Sequence, residues 1–242
     1  MTNYEERARE ACLRWQREMM KRSSLFGRAA KSIQTKINQK IPQKAHDIIT
    51  QGIKQMVQAV LYGAKWTTKR PLIETLPFEE RETRVREKIN TYKKIAAAEG
   101  AGTGAGGILL GLADFPALLT IKMKFLFDAA SLYGFDVKDY RERLYILYVF
   151  QVAFSSDDHR FESFQKLKNW ETTVQAFPTK DALKAFDWQH FQQEYRDTID
   201  LAKMLQLVPG IGAVVGAFAN YRFLDDLGHT AMNAYRMRLF NW

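Results

Sequence analysis

The sequence predicts an all-α protein, a multi-helix globular bundle in which two Gly-rich helical hairpin segments pack in the core. Apolar residues recur at spacings of three and four through most of the 242 residues, which is the period of one helical face. No stretch alternates with period two for long enough to indicate a sheet. With 46% hydrophobic and 26% charged residues, the composition is that of a folded globular protein.

The N-terminal third predicts basic helices. In the first twenty residues one helical face is formed by Tyr4, Ala8, Cys12, Trp15 and Met19. A second, more basic stretch ends before Pro42, and a third helix is predicted from Ala45 to Tyr62. Residues 1–70 carry 15 Lys and Arg against 5 Asp and Glu, whereas residues 71–242 carry 21 against 22. The net positive charge therefore belongs to the first 70 residues.

An almost uncharged segment follows a charged helix in the middle of the chain. Pro77 begins that helix, whose acidic start and basic end suit the helix dipole. Residues 100–121 then carry one formal charge, Asp114. Because Asp114 and Pro116 interrupt this apolar stretch, we expect two short buried helices joined near Asp114 rather than a membrane span.

The rest of the chain predicts further core helices. Residues 122–133 and 141–154 are densely apolar, which indicates burial on all sides. The polar run at 155–160 is typical of a loop, and a weaker helical pattern follows it. A second Gly-rich segment at 205–223 leads into a helical tail at 225–242.

These elements predict one domain, residues 1–242, with basic N-terminal helices at 1–70 and a helical core at 77–154 and 179–242. Cys12 is the one cysteine of the chain, so no intramolecular disulfide can form. The first residues carry charges where a signal peptide needs an apolar core. We therefore expect a cytoplasmic protein, on the inner face of the membrane if it binds one.

Three glycines satisfy the dinucleotide-binding pattern G-x-G-x-x-G: Gly102, Gly104 and Gly107. That motif follows a buried strand in nucleotide-binding folds, whereas the preceding KKIAAAE is a helix-forming sequence. No cofactor is predicted for this reason. Small residues one helical turn apart instead favour close packing of helices or hairpins. The residues with this expected role are Gly100, Gly104, Gly107, Gly111, Pro116, Gly212 and Gly216.

The sequence offers three weak candidates for catalysis, Asp114, Asp225 and His229. Asp114 lies alone in an apolar stretch, where the alternative role is a helix N-cap. Asp225 and His229 are four residues apart and share a helical face, as an acid–base pair or two metal ligands would. No third ligand is marked by spacing, so no metal site is predicted.

The two Gly-rich segments resemble those of the EcsC family. The resemblance lies in AGTGAGGILLGLADFPALLTIKMKFLFDAASLYGFD, RERLYILYVF and VPGIGAVVGAFANYRFLDDLGHTAMNAYRMRLF, and also in the opening YEERAREACLRWQREM. It covers most of the chain except residues 155–200. The family is named from an operon encoding an ABC transporter, and its activity is unassigned. The resemblance therefore implies a transport-linked setting and no catalytic residues.

The leading functional prediction is a non-enzymatic, peripheral membrane protein, accessory to a transport or secretion system. Its expected partners are an anionic membrane surface and a transporter-type protein complex, and not nucleic acid. The basic residues predicted to face lipid are Arg28, Lys31, Lys36, Lys40 and Lys44. Two alternatives stay open: a hydrolase-type enzyme with a pocket at the Gly-rich segments, and a soluble protein-interaction module.

Overall fold

Helices make up the described part of the chain. The computed structural model describes residues 1–21, 43–63, 76–102, 115–155, 157–177 and 213–242. The helices within these ranges are α1 (Asn3–Met19), α2 (Gln43–Tyr62), α3 (Phe78–Gly102), α4 (Phe115–Leu132), α5 (Tyr140–Phe154), α6 (Asp157–Lys168), α7 (Trp170–Gln175) and α8 (Ala213–Phe240). The all-α prediction is confirmed.

The most extensive helix pair joins α3 to α8. Glu82 near the start of α3 binds Arg236 near the end of α8, whereas Lys93 farther along α3 binds Asp225. The two helices are therefore antiparallel. Since α8 also packs on α1, α4, α5 and α6, it is the helix around which the described bundle is arranged.

Contacts along α4 and α5 show their directions relative to α8. Lys122 of α4 contacts Asn220, and Tyr133 just beyond α4 stacks on Tyr235, so α4 runs parallel to α8. In α5 the Tyr145 hydroxyl donates to the carbonyl of Ala234, and Phe154 packs on Phe223, so α5 is antiparallel to α8. The amino ends of α4 and α8 consequently lie beside the carboxyl end of α3.

The direction of α2 follows from its two ends. Gly52 lies against Phe115 at the start of α4, whereas Arg143 of α5 donates to the Gly63 carbonyl just after α2. The amino half of α2 thus lies at the same end as the start of α4. We call this end of the bundle the glycine end, defined as residues 43–52, 93–102, 115–124 and 213–225.

One hydrophobic core collects side chains from α1 to α8. All but three residues of α5 are buried, which confirms its prediction as a core helix. The apolar face of α1 also points inward, with Ala8, Cys12 and Trp15 buried, and the Trp15 ring meets Phe164 of α6 edge-on at 5.3 Å. This confirms the amphipathic helix expected in the first twenty residues.

Local sequence explains where several helices begin and end. Thr2 and Glu5 form a capping box at the start of α1, and Asp139 accepts from the Arg141 amide at the start of α5. After α4, Gly134 adopts a φ of 96°, a left-handed conformation that favours glycine. The Tyr-Gly of the family resemblance therefore has a structural role as a helix stop.

Two boundaries differ from the sequence predictions. The prediction of a loop at 155–160 is wrong, because α6 begins at Asp157. Acidic residues in the first turn of a helix suit the helix dipole. Residues 115–132 form one helix rather than a short piece followed by a second helix at 122. The final helix runs from Ala213 to Phe240, so the predicted helical tail at 225–242 continues a helix that includes part of the second Gly-rich segment.

Several predicted residues lie outside the described residues. They are Arg28, Lys31, Lys36, Lys40, Gly104, Gly107, Gly111, Asp114 and Gly212. Of the described helices, none combines the length and the apolarity that crossing a bilayer requires.

Helices α3 and α8 approach each other closely at Gly228, a glycine that the sequence patterns did not single out. A Cβ atom at this position would lie 2.7 Å from both Cδ1 and Cγ1 of Ile89. Gly52 fills the same role between α2 and α4, with 2.9 Å to the Phe115 ring. Helix packing by small residues is therefore present at Gly52 and Gly228.

Gly228→Ala should destabilise the protein although alanine favours helices. Overpacking costs about 1–3 kcal/mol, whereas the gain in helix propensity is up to about 1 kcal/mol. Urea denaturation should show a lower free energy of unfolding. In an Ile89→Ala background, which removes the clashing atoms, the same substitution should be neutral or stabilising; an equal loss in both backgrounds would contradict the packing explanation.

Candidate functional site

The predicted catalytic candidates lie on α8, apart from Asp114. Asp225 and His229 are both exposed on this helix. Asp225 accepts from the Lys93 ammonium at 2.6 Å, and the His229 Nε2 atom lies 3.3 Å from the Asn233 amide nitrogen. Each side chain is thus engaged by a different neighbour.

Of the predicted packing residues, Gly100 and Gly216 lie within α3 and α8, and Pro116 is the exposed second residue of α4. Proline is well suited to the first helical turn because it donates no backbone hydrogen bond. The described residues contain no group of three His, Cys, Asp or Glu side chains that could hold a metal ion.

A buried carboxylate that the sequence did not mark lies between α1, α3, α4 and α8. Glu82 is fully buried and accepts from Nε and Nη2 of Arg236 at 2.6 and 2.7 Å. The hydroxyls of Tyr133, at 2.8 Å, and Tyr4 donate to the same carboxylate, and Arg86 lies 3.3 Å away. Burial lowers the pKa of Arg236, but Glu82 outweighs it, so the net pKa is raised. The guanidinium therefore stays charged.

A second buried ion pair lies close by, between α5 and α8. Glu142 accepts from the Tyr235 hydroxyl at 2.6 Å and from Arg238 at 2.5 Å. Burial raises the pKa of Glu142, although Arg238 and Tyr235 act in the opposite direction. The Arg238 guanidinium also lies over three aromatic rings, those of Phe135, Tyr145 and Trp170.

The third unusual side chain is Lys122, at the glycine end. It is fully buried, and its ammonium donates to the Asn220 side-chain oxygen at 3.3 Å. Burial lowers the pKa of this lysine from 10.5 to about 7. Among the described residues no carboxylate pairs with it. Lys122 is therefore easily deprotonated near neutral pH.

The buried ion pairs of Glu82 and Glu142 are better suited to holding helices together than to catalysing a reaction. Glu82 and Glu142 already accept charged hydrogen bonds from arginines, so neither is free to move a proton. The buried pairs are best understood as fixing the positions of α3, α5 and α8.

The glycine end, in contrast, presents charge and apolar surface outward. Its exposed charged side chains are four basic and two acidic: Lys44, Lys94, Lys124 and Arg222 against Asp47 and Asp225. Lys44 is exposed, and it is the one described member of the predicted lipid-facing set. Phe218 and Tyr221 of α8 are also exposed, by 64% and 43%.

Comparison with known sequences settles the relationship of the chain. The model of the "EcsC protein family" matches residues 6–240, nearly the whole chain. The chain belongs to the EcsC family. It is 46% identical over 230 residues to "Protein EcsC" of Bacillus subtilis (strain 168), covering 95% of this chain and 94% of that protein. It is also 34% identical over 143 residues to "Uncharacterized protein YdbA" of the same organism, covering 59% and 52%.

No solved structure matches this EcsC family member. The family resemblance expected from the Gly-rich segments is confirmed, and it extends through residues 155–200, where the sequence motifs showed nothing. Sequence reasoning missed Glu82, Glu142 and Lys122. The nearest signal was the excess of tyrosine and arginine in 133–145 and 235–238, since buried carboxylates need such donors.

Removing the Glu82 charge should strongly destabilise this EcsC family member. Glu82→Gln leaves the buried Arg236 without a counter-charge, which costs about 3–5 kcal/mol. The matched control is Glu80→Gln, which breaks the exposed pair with Arg84 and should cost less than about 0.5 kcal/mol. Chemical denaturation of both variants measures the difference; similar losses would show that the buried pair is not a principal constraint.

Lys122→Met should change how stability depends on pH. Because the pKa falls from 10.5 when unfolded to about 7 when folded, the unfolded chain binds the extra proton between these values. Wild-type stability should therefore rise with pH above about 7, by up to about 1.4 kcal/mol per pH unit from this group. The methionine variant should lack this rise and be stabilised most below pH 7.

The free energy of unfolding should be measured by denaturation at a series of pH values from 6 to 9.5, a range chosen because it spans pH values below and above the lowered pKa. The difference in this free energy between Lys122→Met and wild type is compared with that of Lys124→Met, an exposed control. A constant difference for Lys122→Met across this window would contradict the lowered pKa.

Proposed function

We propose that the protein is a non-enzymatic, peripheral membrane protein that binds anionic lipid surfaces. The observation that carries this proposal is the excess of exposed basic residues at the glycine end, four against two, with Lys44 exposed at the start of α2. Each lysine or arginine near an anionic bilayer contributes about 1 kcal/mol of attraction. The sequence also concentrates positive charge just before Lys44, at Arg28, Lys31, Lys36 and Lys40.

The structure changes the part that α1 plays in this proposal. An amphipathic helix binds lipid with its apolar face, but the apolar face of α1 is packed in the core. Its Tyr4 and Gln16 side chains also bond to Glu82 and to the Trp242 carbonyl. The proposed contact with lipid is therefore electrostatic and does not use insertion of α1.

A membrane role is favoured over a hydrolase because the described candidate residues have other partners. Asp225 is paired with Lys93, and His229 lies beside Asn233. An accessory role in transport or secretion is inferred from the family resemblance alone.

Purified protein should float with phosphatidylserine vesicles at low salt and much less with phosphatidylcholine vesicles. Because exposed charges are screened by salt, flotation should fall steeply as the ionic strength rises. Changing Lys31, Lys36, Lys40 and Lys44 to glutamine should reduce flotation by at least about tenfold. This follows because four attractions of about 1 kcal/mol are removed.

A control variant removes the same charge elsewhere, by changing Lys21, Lys138, Lys166 and Lys168 to glutamine. It should keep most of the binding. Failure of the wild-type protein to float with phosphatidylserine vesicles at low salt would overturn the proposal.

A further inference from the structure

We infer that the glycine end faces the bilayer and that Phe218 and Tyr221 are its shallow apolar anchors. This inference rests on the proposed membrane function and adds the surface, the orientation and the mode of contact.

Phe218 and Tyr221 are unusual for aromatic side chains in a folded protein. Their exposed fractions are 64% and 43%, and Phe218 is the most exposed aromatic residue that the structure describes. They are three residues apart on α8, so they lie on the same side of that helix. Two adjacent exposed aromatic rings form an apolar projection rather than scattered surface residues.

The antiparallel register of α3 and α8 places these rings within the glycine end. Phe218 is the sixth residue of α8, and Tyr221 lies beside Lys93, nine residues before the end of α3 at Gly102. The Lys93 ammonium lies 4.1 Å from the centre of the Tyr221 ring and also pairs with Asp225. Tyr221 is thus held in place with its ring partly in solvent.

The exposed charges of this end are net positive, which suits an anionic bilayer. Exposed Lys94, Lys124 and Arg222 accompany Lys44, against the exposed carboxylates of Asp47 and Asp225. Aromatic rings inserted at headgroup depth, with lysine and arginine reaching the lipid phosphates, are the usual combination of peripheral membrane proteins. Both components are present here on neighbouring positions.

Ile95 of α3 is also exposed at the glycine end, whereas exposed apolar residues elsewhere on the fold provide controls. Leu13 on α1 and Leu239 near the end of α8 are exposed by 38% and 36%. If any exposed apolar residue sufficed for lipid binding, these positions would contribute as much as Phe218 and Tyr221. The inference predicts that they do not.

The decisive comparison is between two double variants in a flotation assay with phosphatidylserine vesicles. The double variant Phe218→Ser with Tyr221→Ser should bind about tenfold more weakly than wild type, because the apolar part of the contact is lost. The control double variant Leu13→Ser with Leu239→Ser should bind as wild type does. Circular dichroism and thermal unfolding verify that both variants are folded.

A second measurement does not depend on loss of binding. Bimane attached to Phe218→Cys should shift to shorter emission wavelength when vesicles are added, and bimane at Leu239→Cys should not. Cys12 is buried, so it competes little for the label.

The outcomes separate the inference from the proposed function. If wild type floats but the Phe218 and Tyr221 variant floats equally well, the orientation is wrong and the electrostatic membrane function stands. If wild type does not float at all, both fail. If the variant instead loses a dimer detected by sedimentation velocity and keeps its lipid binding, the surface joins two copies of the chain and the inference is overturned.

Discussion

The bidentate pair between Glu82 and Arg236 determines how α3 and α8 lie against each other. Two charges removed from water are stable only when their hydrogen bonds are complete, so a shift of α8 by one turn would leave both unpaired. With this pair in place, Ile89 meets Gly228 and Lys93 meets Asp225 farther along the same interface. The antiparallel register of the largest helix pair is fixed in this way.

The same carboxylate connects more than two helices. Tyr4 brings α1 to it, and Tyr133, just after the end of α4, brings that helix as well. Burial raises the pKa of Tyr133 well above its usual value, so this hydroxyl keeps its proton and remains a donor. The hydrogen bonds around Glu82 thus hold the helices together at one end of the bundle, and the exposed Phe218 and Tyr221 lie at the glycine end.

Helices were predicted well from the sequence where one face of the helix is apolar, and also where nearly all faces are apolar. Helix α1 has one clear apolar face, and α5 is apolar on nearly every side, so both were found with nearly correct ends. Prediction failed where a boundary depends on polar residues: the run predicted as a loop at 155–160 includes the start of α6 at Asp157. The family was recognised from residues that include Gly134, which the fold needs for a turn.

The buried polar residues could not be predicted, because their partners are far away in sequence. Glu82 lies in a run of alternating charges that is typical of an exposed helix face, and Arg236 is 154 residues later. Lys122 occurs in an apolar helix where nothing in the sequence marks it as buried or lacking a carboxylate. Gly228 was missed because it stands alone, without a second glycine one turn away.

The position of α8 in the chain has a consequence for biosynthesis. Every other described helix that carries core residues emerges from the ribosome before it, yet α8 supplies the contacts for α1, α3, α4 and α5. The apolar helices α4 and α5 therefore lack their α8 contacts until the residues after 213 have been synthesised. Synthesis proceeds at about 5–20 residues per second. During that interval their surfaces are available to chaperones, and truncation before α8 would leave a nascent chain prone to aggregate.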